Sequence, residues 1–229
     1  LRMQALQRLR ERQLTSALTT YRASMRNLAQ TAPKVDSVKG RAALVLRDNF
    51  RNRSRIEKAY LQAIGSSRKE IWIANAYFLP GRKLRKALAT AARRGVHVQI
   101  LLQGRYEYFM QFYASRSVYA ELLAAGVQIY EYQPSFLHAK VAVIDGLWAT
   151  VGSSNLDPLS LLLAREANLV IADARFAEKL RSRISHALVH AAKEVDANAL
   201  ALRSLRERVR ERLALGLMRL GLMLTGNRY

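Results

Sequence analysis

Glu70-Ile71-Trp72-Ile73-Ala74-Asn75-Ala76-Tyr77-Phe78 is an apolar run that ends on a turn at Pro80-Gly81. Its length and β-formers read as a buried strand. Arg82 to Arg94, closed by Gly95, reads as a helix. Val96 to Leu102 begins by alternating and ends fully apolar, as a buried strand does. Ser115 to Ala125, stopped by Gly126, reads as a second helix, and Val127 to Tyr132 as a third strand. This β-α-β-α-β order predicts an α/β fold with a mixed, largely parallel sheet flanked by helices on both faces.

Outward from that centre, Ala43 to Leu46 reads as a short strand and Asn52 to Ile64 as a helix closed by Gly65. Downstream, Ala139 to Ile144, Trp148 to Val151 and Ala167 to Ile171 are strand-like. The first two flank Asp145-Gly146, a hairpin signal. Residues 174 to about 212 read as helical, with arginines running from Arg203 to Arg219 into an apolar stretch, Leu213 to Leu224. Residues 1 to 32 also read as helix, without Gly or Pro. Three parts are expected: a helical connector over 1–38, a domain over 39–190 and a basic amphipathic helical tail over 191–229.

Lys plus Arg is 38 against 17 for Asp plus Glu, a net charge of +21, and half the residues are hydrophobic. Wholesale disorder is thereby excluded. The charge predicts a polyanionic partner, either an anionic membrane surface or nucleic acid. There is no cysteine, which excludes disulfides, thiolate nucleophiles and zinc–thiolate sites. No stretch reaches the roughly 18 apolar residues of a spanning helix.

The chemistry concentrates in His138-Ala139-Lys140-Val141-Ala142-Val143-Ile144-Asp145, followed by Gly152-Ser153-Ser154-Asn155 and then Glu166. On a strand, His138 and Lys140 point to one face. An imidazole beside an ammonium suits a phosphate. The ring attacks phosphorus or moves a proton, and the ammonium neutralises the non-bridging oxygens. Ser153 and Asn155, arriving on the next strand, are further donors to those oxygens, and a carboxylate such as Glu166 can hold the second ring nitrogen. The chain shows no metal-ligand spacing, so neither a metal nor another cofactor is expected. A His–Lys pair buried for structural reasons is the bland alternative, and the extended motif weighs against it.

These residues resemble the signature of the phospholipase D superfamily, H-x-K-x4-D-x6-G-S-x-N. Ile73 to Phe78, Tyr130 to Lys140 and Trp148 to Ser160 resemble bacterial cardiolipin synthases, in particular the C-terminal half of the short type without N-terminal transmembrane helices. The resemblance covers residues 40 to 190. It implies a phospholipase D-like fold and a phosphatidyltransferase working through a phosphohistidine, with a glycerol hydroxyl of phosphatidylglycerol as acceptor. By resemblance, His138 is one of two active-site histidines. Lys140, Ser153 and Asn155 hold the phosphate, Glu166 orients an imidazole, and Asp145 is the signature carboxylate, structural more than catalytic. Tyr77, Phe78 and Tyr132 are candidates for a substrate groove.

Those synthases carry two signatures, and this sequence has one. His97, His186 and His190 lack a lysine two residues on. With Leu1 in place of Met, this predicts a second signature supplied either by an absent N-terminal half or by a second copy across a twofold axis. The expected partners are anionic and zwitterionic phospholipids at a membrane surface, the cytoplasmic face of the bacterial inner membrane, bound peripherally. The rival readings are a homodimeric hydrolase of the same fold, nuclease or phospholipase, and a non-enzymatic basic module binding membrane or nucleic acid. The apolar tail favours lipid over nucleic acid.

Overall fold

The computed structural model describes residues 40–224, so the expected connector over 1–38 lies outside the described residues. Eight strands form one sheet in the order β1-β7-β6-β5-β2-β3-β4-β8. These are β1 (Arg41–Arg47), β2 (Glu70–Asn75), β3 (His97–Gln103), β4 (Gln128–Tyr132), β5 (Lys140–Ile144), β6 (Trp148–Gly152), β7 (Glu166–Ala172) and β8 (Ala192–Glu194). The helices are α1 (Arg55–Ser66), α2 (Arg82–Arg93), α3 (Phe109–Arg116), α4 (Tyr119–Leu123), α5 (Ala174–Ala191), α6 (Ala197–Ala201) and α7 (Leu205–Leu224), with one π-helical turn at Leu159–Leu163.

The expected largely parallel sheet is corrected. Only β2–β3 and β3–β4 pair in parallel, and the other pairings are antiparallel. The reason is connectivity. The α2 and α3–α4 crossovers return the chain to the same end of the sheet, which makes neighbours parallel. β5, β6 and β7 follow one another without such crossovers, and α5 then carries the chain from β7 to β8 at the opposite edge. β5 then enters beside β2 in the opposite sense, and β1 and β8 close the edges antiparallel.

Strand alternation sorts the side chains into two cores. Ile71, Ile73, Ile100, Leu102, Ala142 and Ile144 face a layer that includes residues of α1, α2, α3, α4 and α7. Trp72, Ala74, Leu101, Val143 and Ala149 face Ala177, Ile184 and Leu188 of α5. Helices therefore cover both faces.

Two helical expectations are redrawn. The helix expected over Ser115 to Ala125 begins earlier, at Phe109, and is split at Ser117–Val118 into α3 and α4. The helix expected from 174 to about 212 stops at Ala191, because the following residues pair with the free edge of β4. Gln133 N donates to Ala191 O at 3.0 Å and Val195 N to Ile129 O at 2.8 Å. Edge pairing offers backbone partners that outweigh a modest local helix preference. Beyond it, α7 buries Ala214, Met218 and Leu222 in the larger core. Its buried Glu211 is paired with Arg203 at 2.9 Å. The opposite side of α7 leaves Leu213, Leu217 and Leu220 exposed.

Candidate active site

The site forms at the sheet end where β2 and β3 finish and β5 begins. The register sets Asn75 opposite Lys140, and Arg47 opposite Glu166. Lys140 is buried at the start of β5, while His138, two residues earlier, is exposed to solvent. Lys140 Nζ lies 3.2 Å from His138 Nε2 and 3.3 Å from the His138 carbonyl oxygen. An ammonium only donates, so Nε2 is the acceptor in this contact. Burial lowers the Lys140 pKa, and Glu166, Asp157 and Glu107 act against that lowering.

Asn155 is buried at the far side of the same end. Its Oδ1 accepts from Tyr77 N at 3.3 Å. That bond turns the amide so that Nδ2 is left to donate towards a bound oxyanion. Ser153 Oγ donates to the Glu166 carboxylate and accepts from Ala167 N at 3.1 Å. Glu166 thus engages Ser153 in this state of the site. Asp145 stands apart from the other five. It sits in the hairpin turn at the opposite end of β5, at φ 52°, where it accepts from the backbone N–H groups of Arg68, Lys69 and Glu70 at 2.8 to 3.0 Å. Burial alone would raise its pKa, but those three donors outweigh it and hold the carboxyl below its ordinary range. The geometry makes Asp145 a clasp between the β5–β6 hairpin and the start of β2.

Of the three groove candidates, Tyr77 is part-exposed and its hydroxyl donates to Glu107 at 2.7 Å. Burial, then that hydrogen bond, push its pKa upward. Phe78 is fully buried and belongs to the larger core. Tyr132 is half-buried, packed against the second core. Among the described residues no three His, Asp or Glu side chains come together as metal ligands.

Four supporting residues escaped the sequence reading. Asn75 is wholly buried and accepts Leu156 N on Oδ1 at 3.1 Å, tying β2 to the loop that carries Asn155. Gln103 accepts Leu137 N at 2.7 Å, which sets the approach of the chain to His138. Asn168 accepts Ser154 N and donates to Thr150 at 3.3 Å each. Its carboxamide occupies the space where a Cβ on Gly152 would go, which is why the motif has glycine there. Asp157 is buried behind Asn155, and burial pushes its carboxyl up to about 6, against hydrogen bonds from the Ser160 and Leu159 backbone. Only Asp157 had a visible signal, an acidic residue two positions after Asn155. The other three act through cross-strand register.

A phosphate-shaped site with a paired imidazole and ammonium, built at the end of a mixed sheet between two helical layers, defines the class. Residues 60–188 match the family described as cardiolipin synthase, PLD-like domain, and the chain belongs to that family. It is 46% identical over 163 residues to cardiolipin synthase B of Salmonella typhi, an alignment covering 71% of this chain and 40% of that relative. The chain thus spans about 40% of the length of such curated relatives. Two solved structures share the fold. Nuc from Salmonella typhimurium, a phospholipase D family member, superposes with a TM-score of 0.58 at 19% identity, covering 69% of this chain and 99% of that one. A phosphatidylserine synthase from Haemophilus influenzae Rd KW20 gives 0.61 at 15% identity, covering 91% of this chain and 52% of its own.

Proposed function

We propose that this chain carries one half of a phosphatidyl-transfer site of the cardiolipin synthase type. The observation that supports it most is the contact of Lys140 Nζ with His138 Nε2 at 3.2 Å, with the Asn155 Oδ1 held by Tyr77 N and its Nδ2 left to donate. The Nε2 lone pair attacks the phosphorus of a phosphatidyl donor. The P–O bond to the departing alcohol breaks, and the alcohol takes a proton from a second imidazole. The phosphohistidine then receives a glycerol hydroxyl of phosphatidylglycerol, whose proton goes to that second imidazole as the P–N bond breaks. Lys140 and the Asn155 amide stabilise the charge gathered on the non-bridging oxygens. Glu166, hydrogen-bonded to Ser153 and acting electrostatically on Lys140, would orient the His138 ring in the loaded site.

His138 is the one signature histidine of the described residues, so the second imidazole comes from another signature, in a longer polypeptide or in a second copy. The chain acts as a peripheral protein on anionic phospholipid. No helix among the described residues is long and apolar enough to cross a membrane. The 1–38 segment would connect to the other half and 39–190 would form the catalytic domain, with 191–229 extending it.

The test is incubation of the protein with its second signature present, as the longer polypeptide or as the assembled pair of copies, with phosphatidylglycerol vesicles, wild type beside His138→Ala, and products separated by chain length and headgroup. Cardiolipin plus free glycerol, lost at least a hundredfold in the variant, is expected. Phosphatidic acid in place of cardiolipin would replace transfer with hydrolysis. Cleavage of DNA with no lipid product would place the chain with the nucleases of this fold.

A further inference from the structure

The sheet end that carries His138 and Lys140 is ringed by loops, and those loops present side chains that water does not favour. Phe50, in the loop after β1, is 85% exposed. Tyr106 and Tyr108 after β3, Phe136 between β4 and β5, and Leu159 between β6 and β7 are exposed as well. Scattered apolar residues on a surface are ordinary. Five large ones from four separate loops, all at the sheet end that carries His138, form an apolar rim.

The Phe50 loop is built to hold its tip out. Asp48 Oδ1 accepts from Phe50 N at 2.8 Å and from Asn52 N at 3.0 Å, and its other oxygen takes the Asn52 amide. Arg47 Nη1 donates to Asn49 Oδ1 at 2.8 Å and to the carbonyl of Ala164, two residues before Glu166. The loop is therefore tied to the chain just before the strand that begins at Glu166. Arg51 and Arg53 flank Phe50 and are exposed. Across the rim, the Arg105 guanidinium lies 5.3 Å from the Phe136 ring centre. The acidic groups of this rim are already engaged, Asp48 by its own loop and Glu107 by Tyr77. Protruding aromatics among arginines that form no ion pair with an acidic group among the described residues match the chemistry of an anionic bilayer surface, with rings among the acyl chains and guanidinium groups among the phosphates.

We propose that this rim is a membrane-docking face, with Phe50 as its insertion anchor, that seats the His138–Lys140 end of the sheet directly on an anionic phospholipid bilayer. The proposal rests on a phospholipid substrate and adds which face meets it. Docking in this pose delivers a lipid phosphate to Lys140 without the lipid leaving the bilayer.

The chain has no cysteine, so Phe50→Cys takes a single environment-sensitive fluorophore at the tip. Vesicles of phosphatidylglycerol in phosphatidylcholine are expected to shift the probe to the blue and raise its intensity several-fold. Phosphatidylcholine alone should leave it unchanged. Phe50→Ser is expected to weaken partitioning onto the mixed vesicles about tenfold, and Arg51→Gln and Arg53→Gln about fivefold each. The ratio of turnover on vesicles to turnover in detergent micelles should fall with Phe50→Ser. A probe that stays wet on vesicles to which the protein binds overturns the proposal. So does a probe that responds to duplex DNA alone, or partitioning that falls with Leu217→Ser on α7 and not with Phe50→Ser. A probe that inserts while the wild type turns over no phospholipid supports the docking face and removes the transferase reading.

Discussion

Lys140 Nζ donates to His138 Nε2 across 3.2 Å, and one of the two partners is buried while the other is open to water. The buried ammonium gives up hydration and is compensated by carboxylates it does not touch directly. That arrangement is costly for stability and useful for an incoming phosphate, whose oxygens can replace the imidazole as acceptors.

Lys140→Met separates function from structure. Phosphatidyl transfer is expected to fall by about two to three orders of magnitude. Thermal stability should stay level or rise, because a desolvated charge is replaced by a chain of similar volume. Assay of lipid product beside a melting curve reads both. A marked fall in melting temperature would mean that the His–Lys pair is a structural contact.

Asp157 makes the fold sensitive to mild acid in a direction opposite to most carboxylates. Its folded pKa is pushed up to about 6, above the ordinary 3.8. The native state therefore binds this proton more tightly than the unfolded chain. Its contribution to stability is fullest below about pH 4 and declines as pH rises to about 6. Asp157→Asn is expected to gain roughly 2–3 kcal/mol over wild type at pH 7 and little at pH 4. Denaturant midpoints of both proteins at the two pH values check it, and equal gains at both would contradict it.

Gly152→Ala is expected to cost about 1–3 kcal/mol, since the new methyl meets the buried Asn168 carboxamide and the strand must yield. Asn168→Ala in the same chain should return part of that loss, although it leaves Ser154 N without its partner. Urea unfolding of the two single variants and the double variant measures the coupling. Strictly additive losses would show that the two positions do not press on each other.

Much of the centre of this molecule is legible in its residues. The strand-turn-helix punctuation at Pro80-Gly81, Gly95 and Gly126 places α2, β3 and β4 to within a residue and β2 at its start, because those elements obey local rules of periodicity and termination, while β2 ends at Asn75, three residues short of the expected Phe78. The two-residue spacing of His138 and Lys140 puts them side by side for the same reason. What local rules do not contain is the neighbour of each strand. Nothing in Lys140–Ile144 states that it lies antiparallel to Glu70–Asn75, some seventy residues earlier, and that pairing overturns the expectation of a largely parallel sheet. The helix expected through Ala192 is lost in the same way, to an edge of β4 that the local sequence does not see.

By itself, the sequence determined the chemistry on offer: an imidazole, an ammonium, an amide and a carboxylate at spacings suited to phosphate, on a strongly basic chain without cysteine. Only the tertiary structure decided which of them meet. It buried Lys140 while leaving His138 open to water, joined Asn155 Oδ1 to Tyr77 N, tied Asp145 to the start of β2, and set Phe50 and Phe136 at one end of the sheet. Spacing along the chain specifies direction within one strand or helix. Distance between elements depends on register, burial and the competition of backbone groups for partners, and these exist only once the sheet has formed.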